Sequence, residues 1–239
     1  MSIEQLIDPF YKDLPQKTFR KETIIGQLCW IPALHINKIP MIMDVERADP
    51  KEVYATKFQV RNLSEKDFRQ KAKLPIKSLN LRETEELIIN KAKKRPAINV
   101  CGAPTIFDDI TKVLRQLGRL HLQEECSIFV PIYNVETIEH TGGFPPVMVS
   151  RIKALMYSQF FYCPPLKKMA LSGGIARLDR LQIVISINRA VCDPMPISLS
   201  EEALAVLLAM IRFLFGSTEP DLTSYKELLM ETLPPEAKP

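Results

Sequence analysis

Two carboxylates, Asp44 and Glu46, stand two residues apart in the string MDVERAD. In an extended strand they would share a face, and paired carboxylates on one face can hold Mg²⁺ for a metal-dependent nuclease. Arg47 and Lys51 offer the competing use, ordinary surface ion pairs. A second charged feature is broader. Between Arg61 and Arg95 the chain carries 11 Lys/Arg against 5 Asp/Glu, an excess above the net charge of +4 for the whole chain. Such a segment can contact phosphates or simply form a solvated face. His35, His121 and His140 lie far apart, with no two at metal-ligand spacing, so no metal is expected from them. Cys29, Cys101, Cys126, Cys163 and Cys192 are odd in number and form no C-x-x-C pair. They read as small core hydrophobes rather than a disulfide frame or zinc site. The nucleotide-binding strings G-x-G-x-x-G and G-x-x-x-x-G-K-[ST] and the nucleophile elbow G-x-S-x-G are absent, and no cofactor is expected.

The elements that must position these groups follow from periodicity and punctuation. Strands are expected over 26–32, 41–45, 54–60, 97–101, 126–135 and 181–188, with Tyr54, Thr56, Phe58 and Val60 alternating onto one face and Asp49-Pro50 as a turn. Pro131 inside the 126–135 strand predicts an edge or a bulge. A helix is expected over 82–93, since Glu83, Glu85 and Glu86 open it, Lys91, Lys93 and Lys94 stand at its end, and Pro96 stops the chain from continuing it. A second helix covers 107–117, ended by Gly118. A capping box at Ser198-Leu-Ser-Glu201 opens a long helix to Phe215, with Gly216 as its stop. A last helix covers 222–232, and the Pro-rich residues 234–239 fray. Residues 151–162 are compatible with strand or helix. Residues 1–22 are an amphipathic lead-in with Ile3, Leu6, Ile7 and Phe10 at helical spacing.

The chain has 239 residues, 46% of them hydrophobic and 25% charged, values ordinary for a globular α+β protein. No apolar run reaches the ~18 residues a membrane span needs; the nearest, 203–215, is interrupted by Arg212. The start, MSIEQ, lacks a basic lead and an apolar run, so a cytoplasmic protein with no membrane partner is expected. Nineteen prolines punctuate short strands, as in a small barrel rather than a doubly wound sheet.

Three strings in order, GQLCWIP (26–32), KRPAINVC (94–101) and CSIFVPIYN continuing to LSGGIARLDRLQ (126–182), followed by the helix EEALAVLLAMIRFLFG, carry a family resemblance. The chain resembles the MazF/PemK toxins. The resemblance implies a small SH3-like antiparallel β-barrel over 24–215, with a subdomain inserted at about 33–91, a lead-in at 1–23 and a C-terminal helix and tail at 216–239. It also implies metal-independent cleavage of single-stranded RNA, an antitoxin-like protein partner and a homodimer, for which the aromatic run Tyr157, Phe160, Phe161 and Tyr162 is a candidate interface with core packing as the alternative. By position Arg95 matches the family arginine that approaches the scissile phosphate, where a fixed guanidinium stabilises developing charge. The same arginine would alternatively cap the preceding helix. Lys94, Arg95, Tyr133 and Asn134 would line the RNA groove. The family usually places Ser or Thr just after the third-strand proline, whereas Pro131 is followed here by Ile132, Tyr133 and Asn134, so Tyr133 and Asn134 would supply phosphate contact or base stacking. The function expected is an RNA-acting protein, either an endoribonuclease or a catalytically lapsed RNA binder. The alternatives are a non-enzymatic protein-interaction module and a metal nuclease using Asp44 and Glu46.

Overall fold

The computed structural model describes residues 2–15, 23–35, 38–47, 56–68, 85–102, 107–119, 126–135, 144–167, 172–185 and 190–238. Asp49-Pro50, Lys51, Tyr54, Glu83, His121, His140, Gly142-Gly143 and the side chains of Glu46 and Arg47 lie outside the described residues. The chain divides into two compact units, one of residues 1–33 with 94–239 and one of residues 34–93.

The larger unit is built on an eight-stranded sheet. Its strands are β1 (Tyr11–Asp13), β2 (Gln27–Leu34), β6 (Ala92–Cys101), β7 (Cys126–Asn134), β8 (Phe160–Cys163), β9 (Gly174–Arg177), β10 (Gln182–Ile185) and β11 (Asp193–Leu199). They run in the order β1-β11-β2-β6-β7-β9-β8, with β10 also on β7. The pairings whose register is described are antiparallel. The fold is therefore mixed α+β with antiparallel strands, and among the described residues no pairing joins β1 to β8 to close the sheet.

Pro131 lies on an interior strand, not an edge, since β7 has β6 on one side and β9 and β10 on the other. β10 pairs with residues 126–129 and β9 with residues 132–134. The short 3-10 turn Leu178–Arg180 separates the two partners. Pro131, which has no N–H to give, falls where the ladder on that side is interrupted.

Gly26 opens β2 at φ +87°, a conformation open to glycine but costly for other residues. Its N–H donates to the Asn99 carbonyl (2.7 Å), and its own carbonyl accepts from the Leu199 N–H (2.9 Å). One backbone unit thus ties β2 to both β6 and β11. Two buried polar side chains are satisfied beside it: Gln27 Nε2 donates to the Met195 carbonyl (2.9 Å) and Asn99 Nδ2 to the Ile24 carbonyl (3.2 Å), as burial requires.

Five α-helices are found among the described residues: α1 (Ile3–Leu6), α2 (Asp108–Gln116), α3 (Pro146–Lys153), α4 (Glu201–Leu214) and α5 (Pro220–Glu231). The cap of α4 is Ser200, whose Oγ accepts from the Ala203 N–H (3.3 Å). Ser198, expected in that role, is instead buried in β11, because the strand runs on to Leu199 before the chain turns. Helix α4 buries Ala203, Val206, Leu207 and Met210, a stripe at i, i+3, i+4, i+7; each large apolar side chain so covered contributes about 1.5–3 kcal/mol. The ambiguous segment 151–162 holds both forms, the end of α3 and then the start of β8. Its aromatic run is core rather than interface: Phe161 and Tyr162 are fully buried, while Tyr157 and Phe160 pack against them half-buried. The lead-in is also core, with Ile3, Ile7 and Phe10 buried and β1 paired to β11. The C-terminal residues are held too, as Arg151 donates to the Ala237 (2.9 Å) and Lys238 (3.1 Å) carbonyls.

The smaller unit is a three-stranded antiparallel sheet of β4 (Thr56–Asn62), β3 (Met41–Arg47) and β5 (Ile88–Ile89), in that order. The helix expected over 82–93 is not formed in its described part. Residues 88–89 pair with Met41 and Ile42, Met43 N–H donates to the Leu87 carbonyl, and His35 N–H donates to the Lys91 carbonyl. The β-branched pair Ile88-Ile89 favours this pleated environment, and strand pairing overrides a charge pattern worth only tenths of a kcal/mol per residue, of order ~0.3–1 kcal/mol at a helix end.

All five cysteines are free thiols. Cys29 and Cys192 are fully buried and hydrogen-bond each other, and that bond with burial raises the Cys29 thiol far above its ordinary value. Burial pushes the Cys163 thiol up to about 12.

Candidate nucleic-acid interface

The register of β6 on β7, Ala97↔Pro131 and Ile98↔Val130, continued two residues further places Arg95 across from Tyr133. Cross-strand neighbours at such spacing touch, and the Arg95 guanidinium carbon lies 4.5 Å from the centroid of the Tyr133 ring. Both residues are half-buried. With no helix before it, Arg95 is not a helix cap: its backbone is held by the sheet and its side chain by the aromatic face. Among the described residues no carboxylate pairs with Arg95, and none there engages its N–H fork in an ion pair.

Asn134 follows at the exposed end of β7, opposite Gly174. Lys94 does not join the cluster. Strand alternation turns it to the other face from Arg95, and its Nζ lies 3.6 Å from Asp193 in an exposed pair, worth about 0–1 kcal/mol.

The structure adds three residues that the sequence reading did not single out, Arg177, Asp179 and Arg180. Arg177, on β9 opposite Phe160, donates through Nε (2.7 Å) and Nη2 (2.6 Å) to the two carboxylate oxygens of Asp179. Its guanidinium carbon lies 5.1 Å from the Phe160 ring centroid. Arg180 approaches the same carboxylate at 3.5 Å. Hydrogen bonds from Arg177 hold the Asp179 carboxyl below its ordinary value, and the same bonds raise Arg177, with Tyr133 adding a smaller electrostatic contribution. Arg95 thus stacks on Tyr133 across β6 and β7, while Arg177, set over the Phe160 ring, shares the Asp179 carboxylate with Arg180 on β9 and the turn after it. The signal in the sequence was the string RLDR (177–180), three charged residues in an otherwise apolar stretch.

Gly174 makes this closeness possible. A Cβ there would stand 2.6 Å from Ile132 Cγ2 and 2.8 Å from the Tyr133 carbonyl oxygen. Only a residue without a side chain lets β9 approach β7 so closely.

The paired carboxylates fare differently. Asp44 is bound by Arg61, through both Nε and Nη2, and Arg61 also donates to Asp67 from Nη2 (2.6 Å) and Nη1 (2.9 Å). The Arg61 hydrogen bonds hold the Asp67 carboxyl far below the usual range. Asp44 therefore serves an ion-pair network that ties β3 to β4 and the turn after it. Among the described residues no group of three or more potential ligands could hold a metal ion, and no helix is long and apolar enough to cross a membrane.

No family model, curated protein or solved structure matches the chain.

Proposed function

We propose that the larger unit is an SH3-like barrel of the MazF/PemK kind and that it binds single-stranded RNA across the end of β6 and β7. The observation that carries this reading is the Arg95–Tyr133 pair, a sheet-held guanidinium stacked on an aromatic ring with its hydrogen-bonding edge uncommitted among the described residues. A guanidinium so placed reads phosphate in a fork geometry, and an aromatic ring beside it offers a face on which a base can stack, worth about 1–3 kcal/mol per base. Arg177 and Arg180 extend the positive field, tempered by Asp179. Asn134, exposed next to Tyr133, is placed to bond a base edge or phosphate. Cleavage in this reading needs no metal: Arg95 would stabilise the charge that builds on the phosphate as the 2′-oxygen, losing its proton to water, bonds to the neighbouring phosphorus and the P–O5′ bond breaks, leaving a 2′,3′-cyclic phosphate and a 5′-oxygen that takes up a proton. A cytoplasmic setting and an antitoxin-like protein partner belong to the same proposal.

The test is binding and cleavage of mixed single-stranded RNAs in EDTA by the wild type and Arg95→Ala. Wild-type binding should weaken with salt, and loss of one phosphate contact should lower that salt slope by about 0.7. Affinity should fall at least about tenfold, or 1.4 kcal/mol. Cleavage in EDTA identifies an endoribonuclease; binding alone identifies an RNA binder. Unchanged RNA affinity in a well-folded Arg95→Ala protein would refute the site.

A further inference from the structure

A buried pair of nucleophiles takes no part in the RNA reading. Cys29, on β2, and Cys192, one residue before β11, are both fully buried, in one small apolar cluster with Ile31, Ala97, Phe129 and Val184. The register of β11 on β2, Asp193↔Trp30 and Pro194↔Cys29, continued by one residue sets Cys192 across from Ile31. Cys29 and Cys192 are then diagonal neighbours on one face, at a spacing side chains can bridge. Their thiols meet: Cys29 donates to the Cys192 sulfur, and the Met195 N–H donates to the Cys29 sulfur. Cys29 is thus held against the β11 segment at two points.

Two thiols in contact can do more than fill a core. Oxidation of one leaves a sulfenic acid, which a neighbouring thiol converts to a disulfide. With the second thiol already in place, that step is intramolecular. The hydrogen bond from Cys29 favours the thiolate of Cys192, while the same bond and burial disfavour that of Cys29, so Cys192 is the sulfur that attacks first. Its cover is thin: Ala190 and Asp193, close on either side, are exposed, and opening a surface turn costs far less than unfolding the domain.

We propose that Cys29 and Cys192 form a peroxide-responsive dithiol whose closure to a disulfide ties β2 to β11. The Cys192 thiol loses its proton to water and its sulfur attacks one oxygen of hydrogen peroxide. The O–O bond breaks, and the departing hydroxide takes up a proton to become water. The Cys29 sulfur then bonds to the Cys192 sulfur, the S–O bond breaks, and the leaving hydroxide takes the Cys29 proton as a second water. Two thiols are oxidised by two electrons in all, and one peroxide is reduced to two waters. The bond would join strands far apart in the sequence, where a cross-link restricts the unfolded chain most.

The experiment treats the reduced full chain with hydrogen peroxide under native conditions, then quenches, denatures, alkylates and maps the peptides. Cys29 and Cys192 should be lost to alkylation together and recovered in one linked peptide, about 2 Da lighter than the reduced pair. Dithiothreitol should restore all five thiols. The oxidised protein should melt roughly 4–16 °C higher than the reduced one. Cys29→Ala should form no linked peptide and should accumulate the Cys192 sulfenic acid, trapped with dimedone, well above wild type. The wild-type map decides even if Cys29→Ala fails to fold. Peroxide that modifies Cys101 and Cys126 while Cys29 and Cys192 stay reduced would overturn the proposal. So would a linked peptide that forms only in denaturant, or an oxidised protein that melts no higher than the reduced one.

Discussion

Replacing Gly174 with alanine adds one carbon at the tightest point between β7 and β9. That carbon would lie 2.6 Å from Ile132 Cγ2 and 2.8 Å from the Tyr133 carbonyl oxygen, both well inside contact distance. One of the two neighbours is backbone, so a rotamer change cannot relieve the clash, and β9 must move away from β7. Overpacking of this kind costs about 1–3 kcal/mol. For a chain of this size each kcal/mol shifts the melting temperature by roughly 2–4 °C, so a drop of roughly 2–12 °C is expected. The displacement carries Arg177 and Asp179 with it, so RNA affinity should fall as well, although neither side chain is changed. Calorimetry gives the first quantity and fluorescence anisotropy with labelled RNA the second. Gly102→Ala is the control: nothing lies within 4 Å of a Cβ there, and its effect should stay within about 0.5 kcal/mol. A Gly174→Ala protein that melts within a degree of wild type would show that the strands tolerate separation and would refute the argument.

Asp179→Asn removes the carboxylate that Arg177 and Arg180 share, and in the proposed reading RNA affinity should rise severalfold in a direct titration at fixed salt. The same substitution has a pH signature. The folded-state carboxyl lies below its ordinary value, so its ion pair contributes stability above about pH 4 and loses it as pH falls further. The difference in melting temperature between wild type and Asp179→Asn should therefore be constant from pH 7 to 5 and close in stronger acid. Ser200→Ala removes the α4 cap and should cost about 1 kcal/mol, read as a lower denaturant midpoint with an unchanged slope.

Local signals in the sequence carried some elements well. The 107–117 helix and the long helix ending at Gly216 appear at nearly the expected residues, because periodic apolar stripes and glycine stops act within one element. The 82–93 segment misled because its charge order mimics a helix dipole, while strand formation depends on partners at Met41 and Ile42 that no local pattern reveals. β11 was not among the expected strands for a related reason: Asp193-Pro194-Met195-Pro196 holds two prolines without an N–H to give, and pairing with β1 and β2 makes it a strand all the same. At the site, Arg95 and Tyr133 were legible as residue types in suggestive strings. Their contact was not, because it depends on the register of β6 against β7. Arg177 and Asp179 joined them only once β9 was seen to run along the same strand.

The order of the sheet has a consequence for synthesis. β2 leaves the ribosome early, but its two neighbours are β6 and β11, the latter near the far end of the chain. At a translation rate of roughly 5–20 residues per second, β2 waits on the order of ten seconds for its last partner. Through that interval the apolar string QLCWIPAL has an unsatisfied edge open to other nascent chains. Tyr11 and its neighbours wait about as long, since among the described residues β1 pairs only with β11. Emergence of β11, rather than completion of any early segment, is then the event that commits the larger unit to its native sheet.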